Sequence, residues 1–119
     1  MARVVVADND PEALDLLLLD LRLEGHTVAG AGNGDTAREL AVSFGADVVV
    51  LDQRMPPGPS GLDTALRLRA ERPELGVVIY TNYQDARLVR AARDNGITFL
   101  PKGNLRALRA AIDASVPDS

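Results

Sequence analysis

Three apolar runs without polar alternation limit what this chain can become. Val4-Val5-Val6-Ala7, Val48-Val49-Val50-Leu51 and Val77-Val78-Ile79-Tyr80 each read as a strand buried on both faces, the pattern of a parallel sheet covered by helices on either side. The central run, within an expected strand from Ala46 to Asp52, leads straight into the carboxylate of Asp52 and then a turn rich in proline and glycine, Pro56-Pro57-Gly58-Pro59-Ser60-Gly61. Open α/β sheets place their sites at the carboxyl ends of their strands, so Asp52 is a candidate nucleophile if other reactive groups converge on that end.

Helical patterns separate the runs. Asp10 before Pro11 is a cap and first-turn pair, opening a helix to about Glu24 that Gly25 stops. Leu14, Leu17, Leu18 and Leu21 form its core stripe, Leu16 is read as widening that face, and Leu19 as exposed. His26, just past the stop, is expected at the surface without phosphate chemistry. Thr27–Ala31 reads as a weaker strand near an edge, followed by a helix from about Thr36 to Phe44. Ser60 caps a helix that ends before Pro73, Asn82 or Tyr83 opens one that runs to Asn95, Ile97–Leu100 is the last strand, and Asn104 caps a final helix. Strand and helix alternate five times without a repeat or an internal linker. Residues 1–116 are therefore expected to form one α/β domain with a doubly wound, five-stranded parallel sheet and five helices, with Pro117-Asp118-Ser119 as a tail or the start of a linker.

Composition removes several functions. With no cysteine there is no thiolate nucleophile or thiolate zinc site, which fits a reducing, cytoplasmic setting. A net charge of −4, from 17 acidic and 13 basic residues, speaks against direct nucleic-acid binding. No apolar run is long enough to span a bilayer, so no membrane role is expected.

Four strand ends carry chemistry: Asp8 with Asn9 and Asp10, then Asp52, Thr81 and Lys102. In a parallel sheet they share one edge. A carboxylate nucleophile, acidic groups for a metal, a hydroxyl and an ammonium are the parts required to transfer a phosphoryl group onto an aspartate.

The motifs Val-Val-Ala-Asp8-Asn9-Asp10-Pro11, Val-Leu-Asp52-Gln53-Arg54-Met55-Pro56, Val-Ile-Tyr-Thr81 and Phe99-Leu100-Pro101-Lys102, in this order, resemble the CheY-like receiver domain of two-component response regulators from end to end. The resemblance implies a flavodoxin-like fold with strand order 2-1-3-4-5. It also implies Asp52 as phosphoacceptor, Mg²⁺ held by Asp8, Asn9, Asp52 and the Arg54 carbonyl, Thr81 and Lys102 around the phosphoryl group, and Thr81 with Phe99 as the switch pair. The donor would be a histidine kinase or phosphotransfer domain. The receiver of the signal would be an output domain or protein partner, or a second copy bound through Arg87, Arg90 and Arg93 together with Arg106 and Arg109. Such a chain is a self-phosphorylating and autodephosphorylating aspartate switch, not a conventional enzyme. Asn9 has an amide where the family pattern has an acid, which lowers the expected Mg²⁺ affinity; Asn82 follows Thr81 where a small residue is common, and Gly103 follows Lys102 where proline is usual. These departures support the alternative of a pseudo-receiver, a protein-interaction module not controlled by phosphorylation.

Overall fold

In the computed structural model, which describes residues 1–116, the three apolar runs are the inner strands of one parallel sheet. β1 (Arg3–Ala7), β2 (Thr27–Ala31), β3 (Val48–Leu51), β4 (Gly76–Thr81) and β5 (Thr98–Pro101) hydrogen-bond in the order β2-β1-β3-β4-β5. This is the expected doubly wound order. The expected tail, Pro117-Asp118-Ser119, lies outside the described residues.

Alternate residues of the inner strands feed two separate cores, which explains why the runs show no polar alternation. Val4, Val6, Val48, Val50, Val78 and Tyr80 pack beneath α1 (Pro11–Leu23) and α5 (Leu105–Ser115) through Leu17, Leu18, Leu21, Leu108 and Ile112. Val5, Ala7, Val49, Leu51, Val77 and Ile79 face α2 (Gly34–Leu40), α3 (Gly61–Glu71) and α4 (Ala86–Asp94) through Ala37, Ala65, Leu68 and Ala92. Each fully buried valine or leucine is worth about 1.5–3 kcal/mol relative to exposure, so both faces contribute to holding the strand ends in place.

Local chemistry sets most boundaries. The Asp10 carboxylate accepts the Glu12 N–H at 3.1 Å, and Asn104 Oδ1 accepts the Ala107 N–H at 3.0 Å. Two helices start elsewhere than their patterns suggest. α2 begins at Gly34 because Asn33 Oδ1 accepts the Thr36 N–H at 2.8 Å, and it passes into a π-helical turn at Ala41–Gly45. α4 begins at Ala86, not at Asn82 or Tyr83, because Asp85 caps it by accepting the Arg87 N–H at 2.8 Å.

Two other expectations are corrected. Leu16 lies outside the stripe that packs and is 69% exposed, beside Leu19 at 52%. His26 is buried: β2 starts alongside the chain's first residues, with the Thr27 N–H donating to the Ala2 carbonyl, and His26 Nδ1 accepts the Ala2 N–H at 3.0 Å. Among the described residues no helix is long and apolar enough to cross a membrane.

Candidate functional site

Strand register brings the candidate residues together. Ala7 pairs with Leu51 and Leu51 with Ile79, so the next residues of β1 and β3, Asp8 and Asp52, leave the sheet side by side. The Asp52 N–H donates to the Ala7 carbonyl at 3.0 Å, and the Lys102 N–H donates to the Thr81 carbonyl at 2.9 Å, extending the ladder by one step at each junction. Lys102 then reaches back over the edge. Its Nζ donates to Asp8 Oδ2 at 2.7 Å and to Asp52 Oδ2 at 3.2 Å.

Each carboxylate is held at its other oxygen by a backbone donor. Asp8 Oδ1 accepts the Asp10 N–H at 2.9 Å, and Asp52 Oδ1 accepts the Gln53 N–H at 2.7 Å. Asp8 is almost fully buried, whereas the Asp52 side chain is 13% exposed and faces a cleft. Burial pulls the Lys102 ammonium down, but the hydrogen bonds and charges of Asp8 and Asp52 outweigh it and hold the group above its ordinary value.

The turn after Asp52 is fixed by residues that sequence reasoning missed. The Gly61 N–H donates to the Gln53 carbonyl at 2.9 Å, and the Leu62 N–H donates to Gln53 Oε1 at 2.8 Å. Gln53 thus satisfies two orphan donors of α3. A Cβ at Gly61 would lie 2.3 Å from the Asp52 carbonyl oxygen, so only glycine lets the helix start this close to the strand end. A glycine directly after a serine cap was the available signal, but nothing local tells what it approaches.

Thr81 is buried, and its Oγ1 accepts the Tyr83 N–H at 3.1 Å. Phe99, opposite Ile79 in the sheet, is half-buried against the core beneath α2, α3 and α4. Arg54 is exposed, its guanidinium carbon 3.9 Å above the centre of the Tyr83 ring. Asp52, Arg54, Thr81, Asn82, Tyr83 and Lys102 line a cleft of about 320 Å³. Gly103, after Lys102, has φ of +99°, a conformation closed to proline, and its N–H donates to the Tyr80 hydroxyl at 3.0 Å.

Asn9 stands apart from this group. It is exposed, and its Nδ2 lies 3.5 Å from the Pro56 carbonyl. Asp10, the remaining acid of the first turn, is engaged in capping α1. Among the described residues no three His, Cys, Asp or Glu side chains gather in a metal-holding group. Mg²⁺ asks for less, since one or two carboxylates suffice and water fills its other positions. Asp8 and Asp52 already converge on a single cation, the Lys102 ammonium, so the donor set fits a hard divalent ion.

The surface arginines divide. Arg87, Arg90, Arg93 and Arg106 are exposed. Arg109 is not part of that free surface: it pairs with Asp20 and lies 3.8 Å from Glu24, joining α5 to α1.

Comparison with known proteins matches residues 4–113 to the family described as response regulator receiver domain. The probable transcriptional regulatory protein TcrX of Mycobacterium tuberculosis is 41% identical over 78 residues, 66% of this chain and 33% of that protein. A cyclic di-GMP phosphodiesterase of Thermotoga maritima is 32% identical over 111 residues, 92% of this chain and 29% of its own length. The chain therefore spans a third or less of these two relatives. Among solved structures, the response regulator protein TrrA of Thermotoga maritima, in complex with Mg²⁺-BeF, superposes with a TM-score of 0.86 at 27% identity, covering 98% of this chain and all of that one.

Proposed function

Since this chain belongs to the response regulator receiver family, we propose that it accepts a phosphoryl group on Asp52 from the phosphohistidine of a kinase or phosphotransfer domain in the cytoplasm. The observation that carries the reading is the Lys102 ammonium bridging Asp8 and Asp52 at the mouth of an open cleft that Thr81 also lines. Asp52 Oδ2 attacks phosphorus; the P–O bond forms as the P–N bond breaks, and that bond's electron pair stays on the imidazole nitrogen. The product is an acyl phosphate.

Lys102 places a positive charge beside the incoming oxygens. Thr81 turns its hydroxyl from the Tyr83 N–H toward the new anion, and Phe99, half-buried against the core, repacks in response. That movement biases a pre-existing equilibrium of the α4–β5–α5 surface, where Arg87, Arg90, Arg93 and Arg106 are free to meet an output domain, a partner protein or a second copy. Mg²⁺, held by Asp8, Asp52, the Asn9 side-chain oxygen and the Arg54 carbonyl, would neutralise charge on the transferred group. TrrA, crystallised with Mg²⁺-BeF, supports this assignment by analogy.

Incubation with acetyl phosphate and Mg²⁺ should add one phosphoryl mass to the intact protein, and Asp52→Ala should abolish the addition. No adduct from acetyl phosphate or from the cognate kinase refutes the reading. Asn9 favours a second one, a pseudo-receiver that binds its partner without phosphate, because the exposed amide brings no charge to the site. Millimolar Mg²⁺ should shift the amide NMR signals of Asp8 and Asp52 in a phosphorylated switch and leave them unmoved in a pseudo-receiver.

A further inference from the structure

Arg54 is a cation without a carboxylate. Among the described residues it forms no ion pair, and its guanidinium rests on the Tyr83 ring at 3.9 Å. It lines the cleft over Asp52 and also the adjoining cleft of about 550 Å³ beneath α4, so the Arg54–Tyr83 stack is the partition between the two. The backbone next to it is anchored, since Met55 is 1% exposed, while the side chain stands in solvent. The platform itself hangs from the site, because the Tyr83 N–H is held by Thr81 Oγ1.

Charge in the cleft is unevenly matched. A phosphoryl group on Asp52 brings close to two negative charges. Lys102 supplies one positive charge, and it shares that charge with Asp8 at 2.7 Å. Asn9 adds no charge that would draw a divalent ion into the site more strongly.

We propose that Arg54 leaves the Tyr83 ring and forks onto the non-bridging oxygens of the phosphoryl group at Asp52, supplying in part the positive charge a divalent ion would bring. The inference rests on Asp52 being the acceptor. A guanidinium offers paired donors that match two phosphoryl oxygens, and such charge-assisted bonds are stronger than an exposed cation–ring contact. When the Thr81 hydroxyl turns to the phosphoryl group it also releases the Tyr83 N–H, so the resting place of Arg54 loosens as its new ligand arrives. Departure of the guanidinium removes the partition and joins the site to the cleft beneath α4.

The test compares wild type, Arg54→Ala and Arg54→Lys in acetyl phosphate, with Mg²⁺ or with excess chelator, reading intact mass over time. Wild type should keep a measurable rate in chelator. Arg54→Ala should lose about 10- to 100-fold of that rate, with a smaller loss in Mg²⁺, and Arg54→Lys should fall between. An independent readout is the Arg54 Nε–H NMR signal, identified by its absence in Arg54→Lys: ring-shifted upfield in the free protein, it should move downfield on phosphorylation. Equal fractional losses on chelation in wild type and Arg54→Ala, a wild-type rate that vanishes in chelator, or an unmoved Nε–H signal overturns the proposal while an adduct in Mg²⁺ leaves Asp52 as the acceptor. No adduct in either condition overturns both.

Discussion

Lys102→Met measures how strongly the site cation also holds the fold. With Nζ 2.7 Å from Asp8 Oδ2 and 3.2 Å from Asp52 Oδ2, the two carboxylate oxygens are at most the sum of these, 5.9 Å, apart. At an effective dielectric of about 20 the two attractions are about 6 and about 5 kcal/mol, and the repulsion between the carboxylates is at least about 3 kcal/mol. Lost hydration offsets most of this gross attraction, because the three side chains are only 19%, 2% and 13% exposed for Lys102, Asp8 and Asp52. Removing one member of a buried pair costs about 3–5 kcal/mol, and the partial exposure here lowers the expectation for Lys102→Met to about 2–3 kcal/mol. The cost is mainly that of two carboxylates left facing each other, so adding Asp8→Asn should return about half of it. Urea unfolding followed by far-UV circular dichroism is suited to a chain of 119 residues, and the four proteins form a double-mutant cycle. A cost below about 0.5 kcal/mol, or a double mutant less stable than Lys102→Met, refutes the argument.

Two further outcomes follow from the same geometry. Gly61→Ala sets a Cβ 2.3 Å from the Asp52 carbonyl oxygen, so it should lower stability by about 2–4 kcal/mol in urea unfolding, and an unchanged midpoint would mean α3 shifts freely. The Lys102 ammonium is raised in the folded state above an ordinary value of 10.5, so the stability it contributes is complete below that value and is lost as pH rises through the folded one. The stability difference between wild type and Lys102→Met should be flat from about pH 7 to about pH 10 and shrink above it; growth of the difference in alkali would contradict the sign.

Much of the sheet was readable because burial on both faces leaves a one-dimensional trace. Val4–Ala7, Val48–Leu51 and Val77–Tyr80 carry no polar alternate, and each occupies an inner strand. Three caps were legible, since Asp10, Ser60 and Asn104 act on N–H groups two or three residues away, whereas the equally local caps Asn33 and Asp85 were passed over for neighbouring turn residues. Other misreadings occurred where a contact joins distant segments. His26 looked like a surface residue after a helix stop, but its Nδ1 serves Ala2, 24 residues earlier. Arg109 looked outward along α5, but it answers Asp20, 89 residues away on α1. The site shows the same division. The convergence of Asp8, Asp52, Thr81 and Lys102 on one edge of the sheet follows from parallel strand order, whereas the Gln53 cap, the Gly61 approach and the Arg54–Tyr83 stack depend on how one loop lies on another.

Each oxygen of the Asp52 carboxylate has a different partner, so what a phosphoryl group would displace depends on the oxygen that carries it. Its N–H is bound to the Ala7 carbonyl, its own carbonyl is closed in by Gly61, and Oδ1 accepts the Gln53 N–H. Oδ2 meets Lys102 at 3.2 Å, the longer of that ammonium's two contacts. A phosphoryl group forming on Oδ2 therefore displaces the weaker contact and leaves the 2.7 Å bond to Asp8 as a pivot. Lys102 turns toward the phosphoryl oxygens without leaving Asp8, and its backbone stays tied to the Thr81 carbonyl. On the proposed reading the first mechanical consequence of modification would fall on the junction of β4 and β5, which carries Thr81, Phe99 and the start of the Tyr83 loop. Asp8 would then set the starting position of Lys102 without reacting: an Asp8→Asn protein should hold Lys102 more loosely, so the β4–β5 junction should respond less sharply to the same phosphoryl group, as amide shifts at Thr81 and Phe99 would report.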